Sequence, residues 1–143
     1  MTPGKIHIVQ TSFEQVLPIS DSVAALFYSK LFELDPGLRF LFHADMQEQG
    51  HKYMAMIHLV VANVGHPDTV VPMLQPLGRR HAVYGVTGSH YDTMSAAFLW
   101  ALETSLGPAF TPGVREAWLD IFTFIAETMK AAVQPPVLNP VVM

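Results

Sequence analysis

Apolar residues recur at every third or fourth position along most of this chain, and proline or glycine interrupts the pattern at short intervals. No other feature constrains the fold as strongly. That spacing puts side chains on one face of an α-helix, and such a face is stable when buried against other helices. The clearest stripe is Met46, Gln49, Tyr53, Ile57, Val60 and Val64, which predicts a helix over 46–64. The polar stretch from His43 to Glu48 leads into it, and Gly65-His66-Pro67-Asp68 breaks it.

The same reading extends in both directions. Ile6, Val9, Phe13 and Val16 make a first stripe, closed by Pro18. Ser20-Asp21 then caps a helix whose stripe is Val23, Phe27, Leu31 and Leu34, with Ala24 and Tyr28 beside it. Asp35-Pro36-Gly37 stops that helix, and a short one carrying Phe40, Leu41 and Phe42 follows. Beyond 65–68, with Asp68 as a fair N-cap, the stripe is Val70, Met73 or Leu74, Leu77 and His81. Pro72 fits a first turn, whereas Pro76 is interior and predicts a kink or an irregular start.

Gly85 to Ser89 reads as a turn. Tyr91, Met94, Phe98 and Leu102 then mark a long helix ending at Gly107-Pro108. Thr111 caps the last helix, with Pro112 behind it and Val114, Trp118, Ile121, Phe124 or Ile125, and Met129 along its face. Pro135, Pro136 and Pro140 make 134–143 an extended tail, expected to be poorly ordered, so that 1–133 forms a single domain. No stretch reads convincingly as a strand. The class is all-α with six or seven helices. The proline-bearing breaks favour helices crossing at steep angles over an up-down bundle.

Half of the 143 residues are hydrophobic and 14% are charged. A chain this apolar either oligomerises or lines a large cavity that a cofactor fills. Eight basic residues against twelve acidic ones, a net charge of −4, argue against a nucleic-acid partner. The absence of cysteine excludes disulfides, iron–sulfur ligation and thiol catalysis. The first ten residues lack a signal-peptide core, and the longest apolar run, Met54 to Val64, is too short to cross a bilayer. A cytoplasmic protein without a membrane partner is expected.

His81 lies four residues after Leu77 and seven after Leu74, on their face. On periodicity alone, the commoner explanation is a hydrogen-bonded core histidine. No second histidine or carboxylate sits three or four residues away, which speaks against zinc or a di-iron centre. A metal held by one protein ligand takes the rest of its coordination from elsewhere, and a porphyrin is the usual source. Gln49, Tyr53 and Tyr28 each put a donor on an otherwise apolar face. Singly, each finds a backbone carbonyl; together they suggest a small polar ligand within an apolar cavity.

The remaining histidines carry less. His51 and His58 face away from the Gln49 stripe, His43 and His66 lie in polar connections, and His90 belongs to a helix start. Lys52, Arg79 and Arg80 are either solvated charges or partners for carboxylates at a cavity rim. Trp100 falls opposite the Met94–Phe98–Leu102 stripe, which fits a subunit contact or packing on a neighbouring loop.

Several stretches, in this order and at these spacings, resemble the globins. Leu77-Gly78-Arg79-Arg80-His81 followed by Tyr84-Gly85-Val86 is similar to the proximal helix of neuroglobins and single-domain bacterial globins. Leu106-Gly107-Pro108-Ala109-Phe110-Thr111-Pro112, with Ala117-Trp118 after it, resembles the corresponding neuroglobin join. Leu26-Phe27-Tyr28-Ser29-Lys30-Leu31-Phe32, Leu41-Phe42 and Ser89-His90-Tyr91 resemble the flavohaemoglobin branch. The likeness runs from about Phe13 to Met129.

It implies a globin fold, six to eight helices around one haem b (iron protoporphyrin IX), with His81 as the proximal iron ligand. Phe42 matches the phenylalanine that packs on the haem, Tyr28 a distal tyrosine, Gln49 the main distal position, and Lys52 a propionate partner. Val86 and Met94 fall on haem contacts, and Leu77, Arg80, Tyr84, Tyr91 and Phe98 complete the expected cofactor wall. Two positions depart from the pattern. Tyr53 stands where leucine or valine is usual, and Val133 stands where flavohaemoglobins pair the tyrosine matching Tyr91 with a glutamate.

The resemblance thus implies reversible, high-affinity binding of dioxygen, nitric oxide, carbon monoxide or a similar diatomic ligand, by a monomer or weak homodimer. Whether it is also an enzyme stays open. Nitric oxide dioxygenation or nitrite reduction would draw electrons from a separate reductase, since no flavin or nicotinamide domain follows here. A gas or redox sensor is a third reading.

Overall fold

The computed structural model describes residues 1–42 and 45–133. Among them are six α-helices, three short 3-10 turns and no strand. The helices are α1 (Pro3–Val16), α2 (Ser20–Leu34), α3 (Met46–Ala62), α4 (Pro67–Val83), α5 (Gly88–Leu106) and α6 (Pro112–Ala131). The 3-10 turns span Leu17–Ile19, Pro36–Leu41 and Gly107–Ala109. The expected polar connection at His43 and the tail at 134–143 lie outside the described residues.

The helix ends follow from backbone hydrogen-bond accounting. Thr111 caps α6 as expected, its hydroxyl oxygen accepting the Val114 N–H at 3.2 Å. Thr2 does the same for α1, accepting from Lys5 N–H at 3.2 Å. The expected cap at Ser20-Asp21 is corrected. Both residues lie inside the first turn of α2, whose N-cap position is Ile19 and carries no side-chain cap. The preceding 3-10 turn replaces it, since Ser20 N–H is already bonded to the Leu17 carbonyl.

Asp68 is likewise not the cap of α4. The helix begins at Pro67 with His66 at the N-cap, and the His66 carbonyl accepts from Thr69 and Val70. Asp68 sits in the first turn, where its charge faces the positive end of the helix dipole. This earlier start puts both Pro72 and Pro76 inside α4, which runs unbroken from Pro67 to Val83. Two proline residues remove two amide donors. Burial of Val70, Leu74 and Gly78 offsets that loss. Gly78 permits the approach to α6: a Cβ there would lie 2.6 Å from the Met129 carbonyl oxygen.

Helix α2 packs on α3 and α5, α4 packs on α6, and α1 lies across α6, α3 and α5. Trp118, Phe13, Phe27 and Phe98 are fully buried at the centre. The indole N–H of Trp118 donates to Ser12 Oγ at 2.8 Å, and Ser12 donates to the Ile8 carbonyl at 2.7 Å. One buried serine thereby satisfies the only polar atom of the largest core side chain. Trp100 is half-buried, with Lys30 Nζ from α2 sitting 5.0 Å from its ring centroid. Among the described residues, no helix is long and apolar enough to cross a membrane.

Candidate functional site

Helices α2 and α3 on one side, and α4 and α6 on the other, leave a largely apolar cavity that is partly open to solvent. His81 enters its wall from the last turn of α4. Its Nδ1–H donates to the Leu77 carbonyl at 2.8 Å. A carbonyl can only accept, so the proton is on Nδ1 and the Nε2 lone pair is free. Burial lowers the affinity of the ring for a second proton below the ordinary 6.5, opposed by the Leu77 bond and aided by nearby Arg80. His81 is therefore a neutral, oriented imidazole, which is the state a metal ligand needs. The Tyr91 ring lies nearly parallel to it, 6.4 Å away.

Polar groups on the opposite wall come from α2 and α3. Tyr28, Gln49 and Tyr53 all line the cavity. The two phenol rings meet edge to face at 6.0 Å. Tyr53 stacks on Phe27 at 4.4 Å, and Phe42 meets Tyr28 edge-on at 5.4 Å. Burial pushes the Tyr28 phenol up to about 12, with the Gln49 side chain pulling the other way. Burial, then the neighbouring Tyr28, push Tyr53 up as well. Both phenols hold their protons at neutral pH, so this wall presents hydrogen-bond donors. Lys52 stands at the rim, exposed, with Nζ 3.8 Å from Glu48.

Of the residues expected from the sequence, Phe42, Lys52, Leu77, Tyr91 and Met94 also line this cavity, whereas Arg80, Tyr84, Val86 and Phe98 do not. Arg80 is exposed, and Tyr84 is 64% exposed because it follows the last residue of α4. Gly85 then turns the chain away at φ +99°. Val86 acts through its backbone, its N–H donating to the His81 carbonyl at 2.9 Å. Phe98 is fully buried one layer behind the wall, 5.5 Å from the Tyr53 ring, and supports it.

Part of the wall escaped the sequence reading. Phe122, Ile125, Ala126 and Met129 of α6 line the cavity, as do Met56 and Ser95. The α6 residues repeat at three- and four-residue spacing, so a stripe was visible, but periodicity does not distinguish a cavity wall from solid core.

Three other histidines are engaged locally. His90 Nδ1 accepts from Thr87 N–H at 2.9 Å, and its Nε2 lies 3.6 Å from Asp35. His51 pairs with Asp21 at 2.9 Å, and His58 rests against Phe13. Among the described residues, no group of three histidine, aspartate or glutamate side chains could hold a bare metal ion. The donor set, one neutral imidazole in a large apolar space, fits a flat apolar cofactor that brings its own metal.

The Globin family model matches residues 25–129. Neuroglobin from Dissostichus mawsoni is 30% identical over 138 residues, covering 87% of each chain. Neuroglobin-1 from Oncorhynchus mykiss is 25% identical over 144 residues, covering 91% of each. A flavohemoprotein from Xylella fastidiosa is 26% identical over 132 residues, which are 90% of this chain but 33% of that protein. Among solved structures, an engineered carbene transferase, a variant of an assigned nitric oxide dioxygenase from Rhodothermus marinus, superposes with a TM-score of 0.83 at 23% identity, covering 92% of each chain. A hexacoordinated haem protein from an anhydrobiotic tardigrade gives 0.84 at 18% identity, covering 92% of this chain and 94% of that one. With six helices around a histidine-bearing cavity and matches along most of its length, the chain belongs to the globin family.

Proposed function

We propose that this globin holds haem b through His81 and reversibly binds dioxygen or another small diatomic gas, as a cytoplasmic monomer or weak homodimer whose folded domain is 1–133. The observation that carries the reading is the opposition across one cavity of a neutral imidazole with a free Nε2 and a wall of three polar side chains. When bound, haem supplies an iron centre able to take a gas molecule. Every other element of the function comes from the chain.

His81 is pre-oriented by Leu77, so little ordering is left for binding to cost. Phe42, Leu77 and Met94 give apolar contact to a ring, and the Lys52 ammonium at the rim suits a propionate. On the opposite wall the Tyr28 and Tyr53 hydroxyls and the Gln49 carboxamide can donate to an electron-rich gas ligand. At about 1–1.5 kcal/mol each, two such bonds slow release on the order of a hundredfold. Slow release suits scavenging, sensing or redox chemistry better than bulk delivery. The test is the rate of dioxygen release from the haem-loaded Tyr28→Phe/Tyr53→Phe double variant. A rate on the order of a hundredfold faster than wild type is expected, and an unchanged rate removes the donor wall from the account.

A second reading is catalytic. The flavohemoprotein relative and the structural neighbour assigned as a nitric oxide dioxygenase favour nitric oxide dioxygenation with a separate reductase. The same donors would then stabilise charge developing in the transition state. Stopped-flow mixing of the dioxygen-loaded protein with nitric oxide separates this from simple carriage.

A further inference from the structure

Tyr28 of α2 and Tyr53 of α3 meet edge to face, with ring centroids 6.0 Å apart and an interplanar angle of 68°. The other rings packed on them are phenylalanines. Tyr28 meets Phe27 at 4.8 Å, Phe32 at 6.0 Å and Phe42 at 5.4 Å. Tyr53 meets Phe27 at 4.4 Å and Phe98 at 5.5 Å. A phenyl ring without a hydroxyl gives up an electron far less readily than a phenol does. Two oxidisable rings thus touch each other inside a shell that resists oxidation. The remaining two tyrosines lie elsewhere: Tyr91 is beside His81, and Tyr84 is 64% exposed. The indole of Trp118 is screened from Tyr53 by Phe98.

We propose that Tyr28 and Tyr53 form an oxidative cross-linking site, where hydrogen peroxide admitted to the cavity joins the two rings carbon to carbon and ties α2 to α3. This rests on the haem-binding reading above, because haem, when bound, supplies the metal centre that activates peroxide. The chain supplies the electrons. Each phenol gives up one electron and one proton, the O–O bond of peroxide breaks, and its oxygens leave as two waters. The two phenoxyl rings then couple through carbons beside their hydroxyls, and the hydrogens displaced from those carbons return to the oxygens. The protein loses two hydrogen atoms and keeps both hydroxyls. Edge-to-face contact already presents the edge carbons of one ring to the other. Both rings line the cavity, which gives them space to close. Tyr53 lies flat on Phe27 at 11°, whereas Tyr28 touches Phe27 and Phe42 edge-on, so Tyr28 is the ring that swings. The link keeps the donors in the wall and fixes their spacing. Joining residues 28 and 53 also restricts the unfolded chain, which stabilises the fold.

The experiment treats four full-chain samples with equimolar hydrogen peroxide: haem-loaded wild type, haem-loaded Tyr28→Phe, haem-loaded Tyr53→Phe and the wild-type apoprotein. Intact mass, dityrosine fluorescence, denaturing gels and peptide mapping read the products. The haem-loaded wild type is expected to stay a single chain lighter by two hydrogen atoms, to gain dityrosine emission, and to yield one linked pair of peptides carrying Tyr28 and Tyr53. Its unfolding midpoint should rise. Neither variant nor the apoprotein should show these changes. A haem-loaded wild type that keeps both tyrosines unlinked overturns the proposal. Linkage that persists in either variant does so too, since it assigns the product to Tyr84 or Tyr91. Both results leave the gas-binding reading standing, which carbon monoxide binding by the untreated protein reports. A wild type that takes up no haem overturns both.

Discussion

The imidazole Nδ1–H of His81 is bonded across 2.8 Å to the backbone carbonyl of Leu77, one helical turn earlier. The acceptor belongs to the main chain of α4, so the ring orientation is tied to the helix rather than to another side chain. Whatever positions α4 therefore positions His81. The closest constraint on α4 is its contact with α6 at Gly78, three residues before His81.

Gly78→Ala is expected to lower stability by about 1–3 kcal/mol, the range for forcing extra volume into a packed contact. The added Cβ would lie 2.6 Å from the Met129 carbonyl oxygen and 2.8 Å from its Cα, both main-chain atoms that cannot rotate aside. Either α4 or α6 has to retreat, and His81 moves with α4. Urea denaturation of the apoprotein reads the first effect. The iron–histidine stretching frequency of the haem-loaded ferrous protein reads the second. Wild-type values for both would show that the helices have slack at this crossing.

Ser12→Ala is expected to cost about 1–3 kcal/mol, although it removes one oxygen atom. The loss falls on Trp118, which is fully buried and whose Nε1–H has Ser12 Oγ as its partner at 2.8 Å. Thermal denaturation at neutral pH measures it, and an unchanged midpoint would mean that the indole finds another acceptor.

The buried phenols predict a loss of stability at alkaline pH. Tyr28 holds its proton to about pH 12 in the folded protein, against 10.0 when exposed. A raised folded value means the full contribution is present below pH 10. As the pH climbs from 10 to 12 the unfolded chain ionises first, and the contribution is lost. Between those limits Tyr28 alone accounts for about 3 kcal/mol. Tyr28→Phe is expected to flatten this part of the stability curve, measured by urea titration in alkaline buffers. A variant as sensitive as the wild type would assign the loss to other groups.

Much of this arrangement is legible in the residues themselves. The helices follow from stripes such as Ile6–Val9–Phe13–Val16, because burial of one face needs that spacing. Gln49 and Tyr53 stood out as polar groups within an apolar stripe, and both line the cavity. Helix starts were harder. Ser20 and Asp68 have capping chemistry, but at both places a backbone turn meets the need one or more residues earlier. The likeness to globins puts Arg80, Tyr84 and Val86 on the cofactor wall, yet none of the three lines the cavity. Arg80 instead points out to solvent from α4, Tyr84 follows the last residue of that helix, and Val86 meets His81 through its backbone N–H. The α6 wall was hidden for another reason. Phe122 and Ile125 look like any buried stripe, and only the placement of α4 across from them decides whether the space is filled by side chains or left open.

The central claim is that His81 alone holds the haem and leaves the opposite face for gas. It is tested most directly by absorption spectra of the ferrous, haem-loaded His81→Gly variant, taken with and without imidazole and beside the wild type. The account predicts a five-coordinate ferrous wild type that binds carbon monoxide. The variant should have lost that spectrum, and free imidazole should restore it by occupying the vacated position. A variant that keeps the wild-type spectrum without imidazole, or a ferrous wild type already six-coordinate through two protein side chains, would contradict it.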